Sequence, residues 1–561
     1  MRFASLFSTL SFLVVATGAS LVWGTSIGPS ELLQREPGLY METLPDKQQA
    51  VFSYAMEVMD AFFKKPLLWD SPRYSAWYAV GLLARNKQED ASTAAAIIEE
   101  VLTWQFKDPS EKWYGTFRDD ITGPPPGEVW PPRIYGSYDS NMGLFVTSAW
   151  IILVEEFSHL LDASLVETIK ESMYNATVGD GYRVGGVDGD NLRPIYSNPW
   201  YMRVMCATYV GNLSGDKNMS TWGDRWAEEA VTEFNRYDTI SEFNSGTYTG
   251  VSLWALSLWG YMPMESVIAR EASSMIQKTW ETIGDIYNPT IKTLGGPFDR
   301  TYGMDMRRYF GFLASQISGL AGGLEDNSAP IPLPLYNAEH LGDVAALAIL
   351  PLTSRFHDPL VPSTVVDSLK TFKGPHLWAA QAVSPPFDQL STPRNYTGWN
   401  DVGINVGAIQ LESNVVGGAA TSPDNHVPAN IFWDSGNSLG WMMLYSTAPS
   451  INAVASNTTL AVSFPEPLPD VSRATEMSFR FGGVRRPDFS LPADFMSAVN
   501  YTYDLPGLRL TLKEGNVFGE GYTRSFKYGT GTWNDETFYE LLWTIPSEGE
   551  PPSVVWEFEK I

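Results

Sequence analysis

The 561-residue chain has one cysteine, Cys206, and only five histidines. A lone thiol excludes an intrachain disulfide, and no HExxH run, cysteine cluster or EF-hand spacing is present to hold a metal. Scattered Asp and Asn residues in the C-terminal half leave only a calcium site open there. Cationic charge is scarce: 38 Lys and Arg stand against 64 Asp and Glu, giving a formal net charge of −26. A binder of phosphate backbones or anionic lipid needs a basic face, so nucleic acid and membrane are not expected partners. Phosphate-cradling loops and dinucleotide fingerprints are missing as well, so no cofactor is expected. Beyond the N-terminus no uninterrupted apolar run reaches the ~18 residues of a membrane span.

What the chain does have is apolar and aromatic residues. With 44% hydrophobic residues, including 20 Trp, 26 Tyr and 28 Phe, it can bury a large core over two or three domains. Its first residues, "MRFASLFSTLSFLVVATGAS", place one arginine before an apolar stretch and small residues after it, the pattern of a signal peptide over 1–19. Six N-x-[ST] sequons, at Asn175, Asn212, Asn218, Asn395, Asn457 and Asn500, fit the same route. A secreted, glycosylated product is therefore expected. Cys206, within "WYMRVMCATYV", has no adjacent base and reads as core.

Apolar periodicity divides the mature chain. Segments such as "DASTAAAIIEEVLTWQF" and "SNMGLFVTSAWIILVEEFSHLL" repeat apolar residues at three- and four-residue spacing as far as about Ser354. Amphipathic helices starting near 90, 162, 218 and 266 alternate with more apolar, aromatic-rich ones near 72, 140, 198, 247 and 302. Half-exposed and buried helices in alternation predict an outer and an inner ring, an (α/α) hairpin toroid over 20–355. Later segments such as "EMSFRFGGV" and "LRLTLKEG" alternate every two residues between Gly, Pro and Asn breaks. They predict an antiparallel β-sandwich over 356–561.

In a hairpin toroid the segments preceding the inner helices gather at one mouth. Here those segments are "WYGTFRDDITGPPPGEVWPPRIYGSYDSN", "RPIYSNPWY", "EFNSGTYTG" and "LGGPFDRTYGMDM". Each combines Tyr or Trp with Asn, Asp or Arg. Aromatic faces stack on sugar C–H faces while amides, carboxylates and guanidinium bind hydroxyls, so a carbohydrate is the expected partner. Oligomeric state is not readable from the chain.

This layout, a toroid followed by an antiparallel β domain with such mouth loops, resembles the secreted polysaccharide lyases of the alginate, hyaluronate and heparin type. In those families an Asn, helped by Arg or Glu, neutralises a uronate carboxylate. A Tyr or His removes the C5 proton, and Tyr often protonates the leaving oxygen. The resemblance implies Asn244 as neutraliser, Tyr248 as base or acid, and Arg300 with Tyr302 as a second charged and phenolic pair. Asn141 and Asn198 are reserve amides. Glu242, Tyr138, Trp200, Asp305 and His426 are expected to line the substrate, and Asp305 is a candidate partner for Arg300. A tyrosine base needs a pKa well below its usual ~10, and a nearby guanidinium supplies that sign of shift.

One departure from those families bears on mechanism: no mouth loop contains a histidine. His159 falls on a helix flank, His340 and His357 near the domain junction, and His376 and His426 in the β half. Tyrosine chemistry therefore has to carry an elimination. Three other readings stay open. A glycoside hydrolase would draw paired carboxylates from Asp119, Asp120, Glu128, Asp139, Glu242, Asp299 and Asp305. A small-molecule dehydratase or isomerase and a non-catalytic glycan-binding protein are the others.

Overall fold

The most apolar helices form the innermost layer. A computed structural model of the chain describes residues 40–183, 192–322, 329–330, 341–383, 393–411, 424–436, 438–466, 472–484, 501–530 and 537–561. The expected signal peptide, His340 and Asn500 lie outside the described residues. Among the described residues the inner helices are α2 (Pro72–Arg85), α4 (Met142–Ile152), α6 (Ser197–Ser214), α8 (Thr249–Ser257) and α10 (Gly311–Ala321). Every residue of α4, α8 and α10 is buried. Each inner helix packs on the next, and a 3-10 stretch, Leu341–Ala348, joins α10 back to α2 and closes the ring.

The outer helices are α1 (Asp46–Phe62), α3 (Asp90–Thr103), α5 (Ala163–Gly181), α7 (Lys217–Phe234), α9 (Val267–Ile286) and α11 (Ser363–Lys370). Each buries one stripe only. On α9 the buried residues Ile268, Ala272, Met275, Ile276, Thr279 and Ile283 recur at three- and four-residue intervals. Side-chain caps start two of these helices. Asp216 accepts from the Asn218 and Met219 amides at 3.0 Å, and Ser266 from the Ala269 amide at 3.3 Å.

The helix that begins with α4 runs on irregularly to Leu160. By length and composition Met142–Leu160 is apolar enough to cross a membrane, which the run-length reading of the sequence did not register. It is an inner helix of the ring, 72% buried there.

Two glycines of the 242–250 segment are required by close packing. A Cβ on Gly246 would lie 2.2 Å from the Phe310 ring. One on Gly250 would lie 2.3 Å from the Leu313 amide nitrogen, where α8 and α10 meet.

Among the described residues, thirteen strands form one antiparallel sheet: β1 (His376–Ala382), β2 (Arg394–Asp401), β3 (Ile404–Leu411), β4 (Ala429–Asp434), β5 (Leu439–Tyr445), β6 (Ile451–Ala455), β7 (Thr459–Ser463), β8 (Glu476–Gly482), β9 (Tyr501–Leu505), β10 (Leu508–Glu514), β11 (Thr523–Thr530), β12 (Thr537–Thr544) and β13 (Ser553–Lys560). Their order is β9-β10-β13-β7-β6-β3-β4-β5-β8-β12-β11, with β1 and β2 added beside β3. Strict alternation of burial along β2 and β6 marks one face as core. The sheet folds over itself, because Phe479 and Phe481 of β8 contact Trp556 of β13 at 5.3 and 6.1 Å although the strands lie far apart in the order. This is the expected sandwich. Helix gives way to strand between Lys370 and His376, after α11, which packs on α9 and α10.

The two halves lie within one compact unit, Pro37–Ile561. Residues 298–301 run beside the sheet: Phe298 and Val427 exchange backbone hydrogen bonds at 2.9 Å, and the Thr301 amide donates to Asn425 O at 2.7 Å.

Candidate functional site

Three loops preceding inner helices meet around one guanidinium. Arg300 Nη1 donates to Tyr196 Oη at 3.1 Å and to Glu242 Oε1 at 3.3 Å, while Nη2 donates to Tyr302 Oη at 2.9 Å. Its Cζ sits 4.2 Å from the Tyr248 ring centre. Tyr248 Oη donates to Tyr302 Oη at 3.4 Å, so the Tyr302 oxygen receives both a guanidinium and a phenol. Glu242 Oε2 takes the Asn198 amide at 2.7 Å. Glu242 is 1% exposed and the Arg300 side chain 18%. With the half-buried Tyr302, Arg300 forms the accessible edge of the cluster.

The 139–141 turn before α4 extends this group. Asp139 Oδ1 accepts from the Asn141 amide nitrogen at 2.7 Å, and Asn141 Oδ1 accepts from Arg183 Nη1 at 2.9 Å. Arg183 and Arg203 both bind Asp180. On the other side Arg73 pairs with buried Asp343 at 2.7 Å and lies over the Phe145 ring. Exposed aromatics stand on the same loops: Trp69 before α2, Trp130 and Tyr135 before α4, and Tyr182 before α6. Trp69 and Tyr135 adopt positive φ, 51° and 59°. Such backbone in bulky residues is held in place only by its surroundings.

Burial dominates the electrostatics. It lifts the Glu242 carboxyl above its ordinary range, outweighing Arg300 and the Asn198 hydrogen bonds. It likewise lifts Asp139 against the Asn141 amide and the charges of Arg183, Arg73 and Arg300. Tyr248 is raised well above the usual phenol value, again by burial, with Arg300 opposing. The expected lowering of Tyr248 is thus reversed. A guanidinium face over the ring does not offset the loss of water.

Of the expected residues, Tyr248, Arg300, Tyr302, Glu242 and Asn198 are in mutual contact, and Asn141 lies one turn away beside Asp139. Asn244 is turned from them. Its amide donates to Gly295 O at 2.7 Å and Pro297 O at 2.6 Å, and its φ of 47° makes it a loop-shaping residue. Trp200, two positions beyond Asn198 on α6, faces outward. It packs on Trp226 and donates to Trp226 O at 2.9 Å, since helix residues two apart point in different directions. Asp305 caps the short helix Met306–Tyr309 and pairs with Arg307 and Arg308; Glu242 is the carboxylate on Arg300. His426 is buried behind the 298–301 segment against Arg394. Tyr138 packs its ring on Trp113 at 5.7 Å, on the Asp139 turn.

Tyr196, Arg73 with Asp343, and Arg183 were not singled out from sequence. Arg73 and Asp343 did leave a signal, as lone charges in the apolar runs "SPRYSAW" and "LGDVAALAIL".

Fold and site together define a helical-hairpin ring joined to an antiparallel sandwich, with an arginine–tyrosine–glutamate cluster at the ring's mouth. The chain belongs to the family described as "Domain of unknown function (DUF8769)", which matches residues 49–355. A second description, "Domain of unknown function (DUF8770)", matches 374–559. No curated protein matches the chain. Among solved structures it is similar to "Heparinase III-BT4657 gene product, Methylated Lysines", at 10% identity over 95% of this chain and 88% of that one, TM-score 0.37. It is also similar to a heparan sulfate lyase HepC mutant from Pedobacter heparinus, at 10% identity over 95% and 87%, TM-score 0.32.

Proposed function

We propose that this protein is a secreted, glycosylated polysaccharide lyase that cleaves a uronate-containing glycan by β-elimination with a tyrosine pair as acid and base. The observation that carries the reading is the Tyr302 oxygen, which accepts from Arg300 Nη2 at 2.9 Å and from Tyr248 Oη at 3.4 Å. Two donors thus orient that phenolic oxygen at the accessible edge of the cluster, where a base has to stand. Tyr302 takes the C5 proton, the C4–O bond breaks as the C4=C5 double bond forms, and Tyr248 gives its proton to the leaving oxygen. Transfer of the captured proton from Tyr302 to Tyr248 restores the pair. Asn141, whose carbonyl takes Arg183 and whose amide donates to Tyr135 Oη at 3.4 Å, is the amide we assign to the uronate carboxylate now that Asn244 is committed to its loop. Trp69, Trp130, Tyr135 and Tyr182 supply stacking faces for further sugar rings.

The test is incubation with a panel of uronate-containing and neutral glycans. Rising ultraviolet absorbance of an unsaturated uronate is expected with the former, abolished in Tyr248→Phe and Tyr302→Phe. Full activity in either variant overturns the assignment. New reducing ends without that absorbance would instead favour hydrolysis by Glu242 and Asp139, the two carboxyls that burial has lifted beside Arg300.

A further inference from the structure

Glu242 and Arg300 lie 58 positions apart in the chain, yet their side chains meet at 3.3 Å. Each is adjacent to a residue held by the β-sheet. We propose that Tyr396 and Arg394, on strand β2, are positioning residues that register the Glu242 loop against the Arg300 loop, so that the sheet completes the site. The inference rests on the reading of Arg300 and Glu242 as part of the reactive cluster.

Tyr396 touches both loops. Its ring packs on Phe243 with centres 4.3 Å apart, and its hydroxyl donates to Asp299 Oδ2 at 2.7 Å. Arg394 Nη1 donates to Asp299 Oδ1 at 3.4 Å and to His426 Nε2 at 3.2 Å. A guanidinium can only donate, so Nε2 is the acceptor in that contact. The Arg394–Asp299 ion pair thus lies in a buried setting, where the side chains of Asp299, Arg394 and His426 are at most 2% exposed. A buried pair of this kind gains little stability over apolar packing but tolerates little displacement.

Residues 298–301 bend beside 425–427, with Phe298 bridged to Val427 and the Thr301 amide bonded to Asn425 O. Asp299 enters the sheet and Arg300 the ring mouth. Any slip of Asp299 against Tyr396 is thus passed to the guanidinium one residue away. Ser245, on the Glu242 loop, adds a direct tie by donating to Arg300 O at 2.7 Å.

The experiment uses the full chain and Tyr396→Phe, which removes one hydroxyl, with Arg394→Lys as a second variant. Amide exchange over 295–303, read by mass spectrometry, should quicken by about tenfold at Phe298 and Thr301 while distant helices stay unchanged. Coupling between Glu242→Gln and Arg300→Met, measured by unfolding, should fall by about half in the Tyr396→Phe background. If the protein eliminates a uronate glycan, kcat should drop by about tenfold with KM within about twofold. Unchanged exchange or unchanged coupling overturns the proposal, as does wild-type kcat in an active enzyme. Absence of turnover in the wild-type protein bears on the lyase reading alone, because the first two measurements need no substrate.

Discussion

Removing Arg300 should expose how the buried Glu242 carboxylate is kept. Arg300→Met leaves the Glu242 carboxylate, at 1% exposure, with the side-chain and backbone N–H groups of Asn198. Stripping the partner from a buried ion pair costs roughly 3–5 kcal/mol. Arg300 is itself 18% exposed, so water reaches the pair, and about 3 kcal/mol is the better figure. Glu242→Gln keeps the contact to Asn198 but turns amide hydrogens toward the guanidinium, at about 1–2 kcal/mol. The double variant removes both stranded charges together, so it should cost less than the sum, with a coupling of about 2 kcal/mol.

The penalty has a required pH dependence. Glu242 is already raised above its unfolded value by burial, so proton uptake favours the folded chain in acid. Loss of Arg300 raises it further. The Arg300→Met penalty should therefore be smallest near and below the unfolded carboxyl pKa and grow as pH rises through the folded one. Urea midpoints of the four proteins, taken across that range, provide the measurement. Additive single effects, within about 0.5 kcal/mol, would refute the pairing, and a penalty that grows in acid would refute the electrostatic argument.

Gly250→Ala sets a methyl against the Leu313 amide at 2.3 Å and should destabilise by about 3 kcal/mol, read from the denaturant midpoint. Glu540, held below its ordinary range by Lys527, Ser478 and Arg480 despite burial, stabilises the sheet above the unfolded carboxyl pKa and loses that contribution as pH falls through the folded one; Glu540→Gln should flatten the acid limb of the stability curve. In a eukaryotic secretory host, peptide mass spectrometry should find glycan on exposed Asn212, Asn218 and Asn457. It should find none on half-buried Asn175, whose side-chain carbonyl takes the Tyr114 hydroxyl at 2.9 Å.

Periodicity exposed the architecture because it records burial directly: a helix buried all round, such as Met142–Ile152, and one buried on a stripe, such as Val267–Ile286, differ in composition as well as in place. It also located the mouth loops, since each immediately precedes an inner helix. Within those loops residue type was a weaker guide. Asn244 and Asn198 are both amides beside an inner helix, yet one bonds backbone carbonyls and the other a carboxylate. Nothing local distinguishes them, because each role is set by a partner more than 40 positions away. The same distance hid Tyr396 and Arg394, which sit in an ordinary alternating strand and acquire meaning only through Asp299.

Burial also separates the parts of the two tyrosines, of which the resemblance implied Tyr248 as base or acid and Tyr302 as the phenolic partner of Arg300. Tyr248 is enclosed at 7% exposure and raised well above the usual phenol value, so it enters any reaction carrying its proton. A group in that state can protonate a leaving oxygen but cannot begin by accepting a proton. Tyr302 is more accessible, and its oxygen already receives the Arg300 and Tyr248 donors. In the proposed elimination the base is therefore Tyr302 and the acid Tyr248, and the Arg300 guanidinium belongs to the base. Substituting Arg300 should then lower kcat chiefly by weakening proton capture at C5, so a substrate deuterated at C5 should show a larger isotope effect in Arg300→Lys than in the wild-type enzyme. An equal or smaller effect would move the base elsewhere.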